Sequence, residues 1–422
     1  MARQTIPPIE DVFQPTIAPS FTYIDRRATP EETYQFRLEK ALRTPGRLIS
    51  ISGPSKSGKT FLCSKSIAPE KLLVISGAHI QRQEDFWTQI AEKIEWPAEE
   101  ERTNTRSSRS GTQSALKGRL SLPLAAIGSD FQIMEAAEEG VSVRKKVVRS
   151  NSAIMNLLRA KGIVLVIDDF HHIATDIQLY IARILKAELF SGLRAVVVSL
   201  PHRADDAVNR NPDLIGRTIF IQIAPWSITE LEEIANKGFA VLEYGVPDDV
   251  INKLAVESAS SPQLMQENCL NFAYGLAETG GATGNDESLL SQAFHSSAEN
   301  YRHIYDEILS LIAEGPGRGA PTRKTYGLAD GTKIPIYQLL IKVLALDPPQ
   351  VKFEIDDIKE RIKKSVGDTG RALHQDASYL IKAIDQVIKI VKGCRPCEEI
   401  IDRRGHTLYI LDPFFIFYLR WK

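Results

Sequence analysis

The chain has 422 residues, of which 43% are hydrophobic and 25% charged, with a formal net charge of −1. That length accommodates two or three domains. The near-neutral balance excludes nucleic-acid binding through the field of the whole molecule, so any such surface has to be local. No apolar run reaches membrane-spanning length, and the N-terminus Met1-Ala-Arg-Gln-Thr-Ile-Pro-Pro lacks an apolar signal-peptide core, so a cytoplasmic protein without membrane contact is expected. Four cysteines (Cys63, Cys269, Cys394 and Cys397) suit the same reducing compartment, and the lone Cys394-Arg-Pro-Cys397 reads as a turn.

Residues 1–20 are proline-rich and read as an extended arm. Residues 30–42 form an amphipathic helix, which either lies over the base of a nucleotide or simply packs with a solvated charged face. Residues 48–52 are apolar and β-branched, as in a buried strand, and residues 71–76 predict a second strand. A helix over 84–94 stops near Pro97. Residues 99–113 turn polar and 116–148 alternate weakly, so about 99–150 is expected to be an insertion with a β-hairpin. A helix over 151–161 precedes the run Gly162-Ile-Val-Leu-Val-Ile-Asp-Asp169, whose unbroken apolar stretch suits a strand covered on both faces of a parallel sheet. A helix at 177–189 and strands at 193–200 and 216–223 complete the alternation, so a doubly wound α/β core is expected over about 45–225.

The rest turns helical. Ser227-Ile-Thr-Glu230 is a capping box opening a helix to about residue 244. Helices follow at 250–258 and 262–278, the latter with proline at its first position, and one long helix is expected over 287–313. A Gly/Pro-rich linker near 315–322 leads to helices at 335–346, 356–365 and 373–392, then a hairpin turning at Arg404-Gly405. Three helices followed by a hairpin is the order of a winged helix.

The chemistry concentrates in two places. Gly53-Pro54-Ser55-Lys56-Ser57-Gly58-Lys59-Thr60 fits G-x-x-x-x-G-K-[ST] between a strand and a helix, the context of a phosphate-binding P-loop. Its glycines let backbone N–H groups surround phosphate oxygens, Lys59 supplies a compact cation, and Thr60 a hydroxyl for Mg2+. ATP and Mg2+ are therefore the expected cofactors. About 110 residues on, Asp168 ends an apolar strand and is positioned to hold the Mg2+ shell with Thr60, while Asp169 orients the attacking water. Ser199, at the end of the next strand, is a candidate for the γ-phosphate or that water. Arg203, Arg210 and Arg217 precede the last core strand; Arg217 is the first choice for a finger reaching a neighbouring subunit's nucleotide. His171 and His172 have no third ligand at metal spacing in the sequence and read as structural support for the acid pair.

The P-loop, the 163–169 acid strand, Ser199 and the helical lid from Ser227 resemble the AAA+/STAND group of ATPases, near the origin-recognition-like and archaeal-type branches. Ile24-Asp-Arg26 resembles their box preceding the P-loop, which implies that Arg26 helps hold the nucleotide. Ser261-Pro-Gln-Leu-Met-Gln266 resembles their lid motif, with Gln263 where an arginine sensor often stands. Residues 409–420, with Asp412-Pro-Phe414, resemble the signature closing the archaeal-type winged helix.

The resemblance implies an N-terminal arm and helix (1–44), an ATPase core (45–225), a helical lid and connecting helix (226–315) and a winged-helix domain (320–422). It also implies a nucleotide-controlled homo-oligomeric switch, in antiphage defence or mobile-element control; the sequence carries no nuclease, protease or NAD-cleaving motif, so an effector is expected to be a separate protein. Asp169 stands where the family usually has glutamate, in keeping with slow turnover. The alternative is a loader or initiator gripping DNA through the C-terminal domain. Against it, residues 331–422 carry 16 Lys and Arg for 12 Asp and Glu, a small excess for a dedicated DNA-binding module.

Overall fold

The structure is a computed structural model that describes residues 6–94, 151–200, 216–280, 287–315, 325–328, 331–366, 377–394 and 400–422. The expected 99–150 insertion, Arg203, Arg210, Cys397 and most of the 315–322 linker lie outside the described residues. The chain forms two compact units. One comprises Tyr34–Ser52 and Leu62–Gln222; the other comprises Met1–Thr33, Gly53–Phe61 and Ile223–Lys422.

The first unit is built on five parallel strands: β1 (Leu48–Ser52), β2 (Leu72–Ser76), β3 (Val164–Asp168), β4 (Arg194–Ser199) and β5 (Thr218–Gln222). The expected alternation holds, with boundaries shifted by at most two residues. Their order across the sheet is β2-β3-β4-β1-β5. Thus β4 separates the strand leading into the P-loop from the strand ending in the acids. Val164 to Ile167 are all buried, as an unbroken Val-Leu-Val-Ile run requires of a strand covered on both faces. Leu165 and Ile167 share one core with Phe86 and Ile90 of helix Gln83–Lys93 and Ile181 and Leu185 of helix Thr175–Phe190. This is the doubly wound P-loop NTPase sheet.

The second unit opens with the N-terminal arm, which is not wholly extended. Ile9–Val12 forms one helical turn, and Phe13 is fully buried edge-on to Phe239, with ring centroids 5.1 Å apart. A Cβ at Gly238 would lie 2.2 Å from the Phe13 ring, so this mid-helix glycine is required by close approach. The capping box forms as expected: Ser227 Oγ accepts from Glu230 N at 3.2 Å, and Ser227 N donates to Glu230 Oε2 at 2.8 Å. Pro262 starts helix Pro262–Thr279, capped by Ser261.

The single long helix expected over 287–313 is instead two, Glu287–Glu299 and Arg302–Glu314. The break is held by a buried carboxylate. Glu267 accepts from Asn300 Nδ2 at 2.8 Å and from the Tyr301 hydroxyl at 2.5 Å. Burial, then the hydrogen bond to Glu267 and the Glu267 charge, push the Tyr301 phenol up, so it stays a donor. Apolar periodicity runs through residues 300–301 without interruption, and the partner lies 33 residues away.

The C-terminal part contains helices Ile336–Leu344, Ile355–Val366 and Ala377–Lys392, and the hairpin Ile401–Arg404 with Thr407–Ile410. The hairpin turns at Gly405-His406, one residue later than expected, with Gly405 at φ +57°. A strand absent from the sequence reading, Lys352–Glu354, pairs with Thr407–Tyr409 to make a three-stranded antiparallel sheet. At three residues it is too short to show a periodicity. The apolar C-terminus forms helix Pro413–Trp421. Its Phe414, Phe415, Ile416 and Phe417 are fully buried, and the three phenylalanine rings contact Tyr301 in the break and Tyr305 and Phe294 of the helices on either side of it.

Candidate nucleotide-binding site

β1 delivers the chain into Gly53. A Cβ there would lie 2.9 Å from Ile223 Cβ, so only glycine allows the loop to leave the strand at this angle. Gly58 adopts φ +87° and Lys56 φ +56°, the left-handed conformations that bend such a loop. The helix Lys59–Ser66 follows at once. Lys59 is only 8% exposed, and its Nζ donates to the loop's own carbonyls, Gly53 O at 2.9 Å and Pro54 O at 2.5 Å. Ser57 is buried, and its Oγ has no hydrogen-bond partner among the described residues. A buried hydroxyl, a nearly buried ammonium and left-handed backbone turns fit a phosphate group. Thr60 is exposed at the helix start, Pro54 and Ser55 complete the loop, and both are half-buried.

Two supports of this loop are not visible in the sequence. The Trp226 indole Nε1 donates to Ser57 O at 3.1 Å, and the Arg26 guanidinium lies 4.4 Å from the Trp226 ring centroid. Arg26 Nε and Nη2 bond the two Glu230 oxygens at 2.9 and 3.1 Å, and Nη2 also reaches the carbonyls of Ala224 and Pro225. Burial would raise the Glu230 carboxyl, but the Arg26 bonds and the Ser227 amide outweigh it and hold the group below the usual carboxylate range. Arg26 thus bears on the P-loop through Trp226. The second support is Asp412, which accepts from Lys56 Nζ at 2.9 Å.

In the other unit, Asp168 ends β3 and Ser199 ends β4. Register pairs Ser199 with Ser52, the last residue of β1 before Gly53, so all three strand ends share one edge of the sheet. Asp168 Oδ1 accepts from Asp169 N at 2.9 Å, and Asp169 is left-handed at φ +51°. The Cys63 thiol, on the helix opened by the P-loop, is pushed up to about 12 by burial and then by the Asp168 charge. Ser199 is 2% exposed, with an Oγ that has no partner among the described residues. Gly77 was not singled out in the sequence. A Cβ there would lie 2.4 Å from Asp169 O, so the acid turn needs a glycine beside it.

His171 and His172 stack with centroids 4.4 Å apart. Contrary to the sequence reading, a third donor does join them: donor atoms of Asp169 and the two imidazoles all lie within 4.8 Å of one another. Arg217 is exposed at the N-terminal end of β5, and its carbonyl accepts from Leu48 N at 2.9 Å. That is the sheet edge opposite the one carrying Asp168 and Ser199. Gln263 is half-buried on the lid helix.

The fold and the loop define a protein of P-loop NTPase architecture. The chain shares this fold with the Walker-type ATPase of Pyrococcus abyssi, at 14% identity and a TM-score of 0.50 over 94% of this chain and 96% of that one. Weaker likenesses are to Cdc6p from Pyrobaculum aerophilum (16% identity, TM-score 0.44, 97% of each chain) and the Thermotoga maritima RuvB Holliday junction branch migration motor (10% identity, TM-score 0.42, 93% of this chain and 96% of that one). The sequence matches no protein-family model and no curated protein. Among the described residues, no helix is long and apolar enough to cross a membrane.

Proposed function

We propose that this chain binds ATP with Mg2+ and hydrolyses it slowly, as an AAA+/STAND-like switch whose assembly state follows its nucleotide. The observation that carries this reading is the edge of the parallel sheet at which Asp168 and Ser199 end their strands and β1 runs into the Gly53–Thr60 loop. In this reading the loop amides and Lys59 hold the phosphates, and Thr60 and Asp168 hold Mg2+, which when bound neutralises charge on the phosphates. Asp169 orients water, and the buried Ser199 hydroxyl serves the γ-phosphate end. Arg26 contributes by fixing Trp226 against the loop. The test is Mg2+-dependent phosphate release from ATP by the full-length protein. Asp169→Ala is expected to keep binding of a fluorescent ATP analogue while turnover falls about 100-fold, within the range that positioned water-activating groups contribute. Equal loss of binding and turnover would reject the assignment of Asp169.

Arg217 lies at the sheet edge away from its own chain's acids, which favours action on a neighbouring copy's nucleotide. Arg217→Ala protein should bind ATP and turn it over slowly, and adding Lys59→Ala protein should restore part of the rate. A rate that ignores both mixing and protein concentration counts against a finger acting in trans.

The order of helices and strands in the C-terminal domain favours a winged helix, and DNA binding is the rival use of such a domain. Two of its five candidate cations (Lys382, Lys389, Lys392, Arg403 and Arg404) bond acids of the same domain: Arg403 bonds both Asp385 oxygens at 2.7 and 2.8 Å, and Lys392 bonds Asp402 at 3.3 Å. We therefore assign the domain to protein docking. Full-length protein is expected to bind duplex DNA no better than the non-specific range of about 10⁻⁴–10⁻⁶ M near physiological salt. Submicromolar binding lost on replacing Arg403 and Arg404 by alanine would favour the loader.

A further inference from the structure

Lys56 carries a side chain at a loop position whose backbone favours glycine, with φ +56°. Non-glycine residues enter this region seldom and stay where the surroundings over-determine them. Here the side chain supplies the constraint. Its Nζ donates to Asp412 Oδ1 at 2.9 Å and lies 3.9 Å from the centroid of the Phe414 ring. Both partners are themselves anchored. Asp412 Oδ1 caps helix Pro413–Trp421 by accepting from Phe414 N at 3.1 Å, and Oδ2 accepts from the Tyr305 hydroxyl at 2.7 Å. Phe414 is fully buried. The lysine therefore meets a carboxylate and a ring face whose positions are set by the C-terminal helix and by helix Arg302–Glu314.

A left-handed residue in such a loop turns successive N–H groups toward one anion. The curvature at Lys56 is then part of the phosphate cradle, and the tether that maintains it lies 356 residues away. We propose that Asp412 is a positioning residue for nucleotide binding: through Lys56 it presets the P-loop in its phosphate-binding curvature, so the C-terminal helix sets nucleotide affinity. This rests on the nucleotide-binding reading above and adds to it a residue that touches no nucleotide. A loop without the tether has to be ordered by the ligand, and that ordering subtracts from affinity.

The test is a double-mutant cycle on the full-length protein, read as Kd for a fluorescent ATP analogue and, separately, as the thermal midpoint. Asp412→Asn removes the charge and keeps one oxygen for the helix cap, where asparagine is as good as aspartate, while its amide N–H2 faces the Tyr305 hydroxyl and donates to it. In the native background it is expected to weaken binding about fivefold, a loss of about 1 kcal/mol. In the Lys56→Gly background, where glycine takes a positive φ without a tether, the same change is expected to cost less than about twofold. The thermal midpoint in the Lys56→Gly background reports what Asp412 contributes apart from Lys56, through the cap and Tyr305, and keeps a loss of stability distinct from a loss of affinity. A fivefold loss in both backgrounds, or no loss in either, overturns the proposal while leaving nucleotide binding intact. Native protein that binds no ATP analogue overturns the parent reading instead.

Discussion

Lys59→Ala protein is expected to lose nucleotide binding altogether, with affinity for an ATP analogue falling by about 100-fold or more. Lys59 is 8% exposed and its ammonium rests on Gly53 O and Pro54 O, inside the loop. A phosphate group arriving there meets that cation, and each charge-assisted hydrogen bond contributes about 1.5–3 kcal/mol. Two such bonds lost amount to at least two decades in Kd. Lys59→Arg should recover little, because a planar fork does not replace a compact ammonium in a space bounded by two carbonyls. The measurement is a binding isotherm alongside circular dichroism. Retained affinity in folded Lys59→Ala protein would remove the P-loop from the nucleotide site.

The second large effect is on stability. Arg420→Ala is expected to lower the unfolding free energy by about 3–5 kcal/mol, the cost of breaking a buried ion pair from one side. The Arg420 and Glu257 side chains are each 11% exposed. Arg420 Nε and Nη2 bond the two Glu257 oxygens at 2.8 and 2.6 Å, and Nη1 reaches Ala345 O at 2.6 Å. Trp421 Nε1 adds a bond to Glu257 at 2.7 Å. The arginine thus ties the last helix to helix Asp248–Glu257 and to the end of helix Ile336–Leu344. Alanine leaves the Glu257 carboxylate buried beside one indole N–H. Arg420→Met with Glu257→Leu removes both charges and should restore most of the loss. Urea unfolding of the three proteins decides it. A double variant no more stable than Arg420→Ala would show that the charge left unpaired is not the cause.

Much of the architecture was legible because its determinants are local. The P-loop lies in eight consecutive residues, the acid strand in seven, and the first lid helix announces itself by Ser227 and Glu230 three positions apart. Strand alternation followed from apolar runs of strand length between helical stretches. The candidate site was legible to the same extent, as a list of residues on identifiable strand ends and loops. Its supports were not. Trp226 appeared as one aromatic near a helix start, Gly77 as one of 26 glycines, and Asp412 as a family-like signature without a contact. Asp169 and the two histidines looked unrelated as metal donors because a left-handed turn at Asp169, which sequence spacing does not display, is what gathers them.

The sequence by itself determined which segments are strands and helices, where the phosphate loop lies, and which carboxylates end the acid strand. Each of these depends on residues within one turn or one strand of each other. The tertiary structure alone decided that β4 separates β1 from β3 and that Glu267 breaks the helix at residues 300–301. It alone brought Arg26 and Trp226, and Asp412 and Phe414, to bear on the P-loop. Such contacts join residues tens to hundreds of positions apart. They form only once both partners are held on packed elements, so no periodicity or spacing in the chain records them.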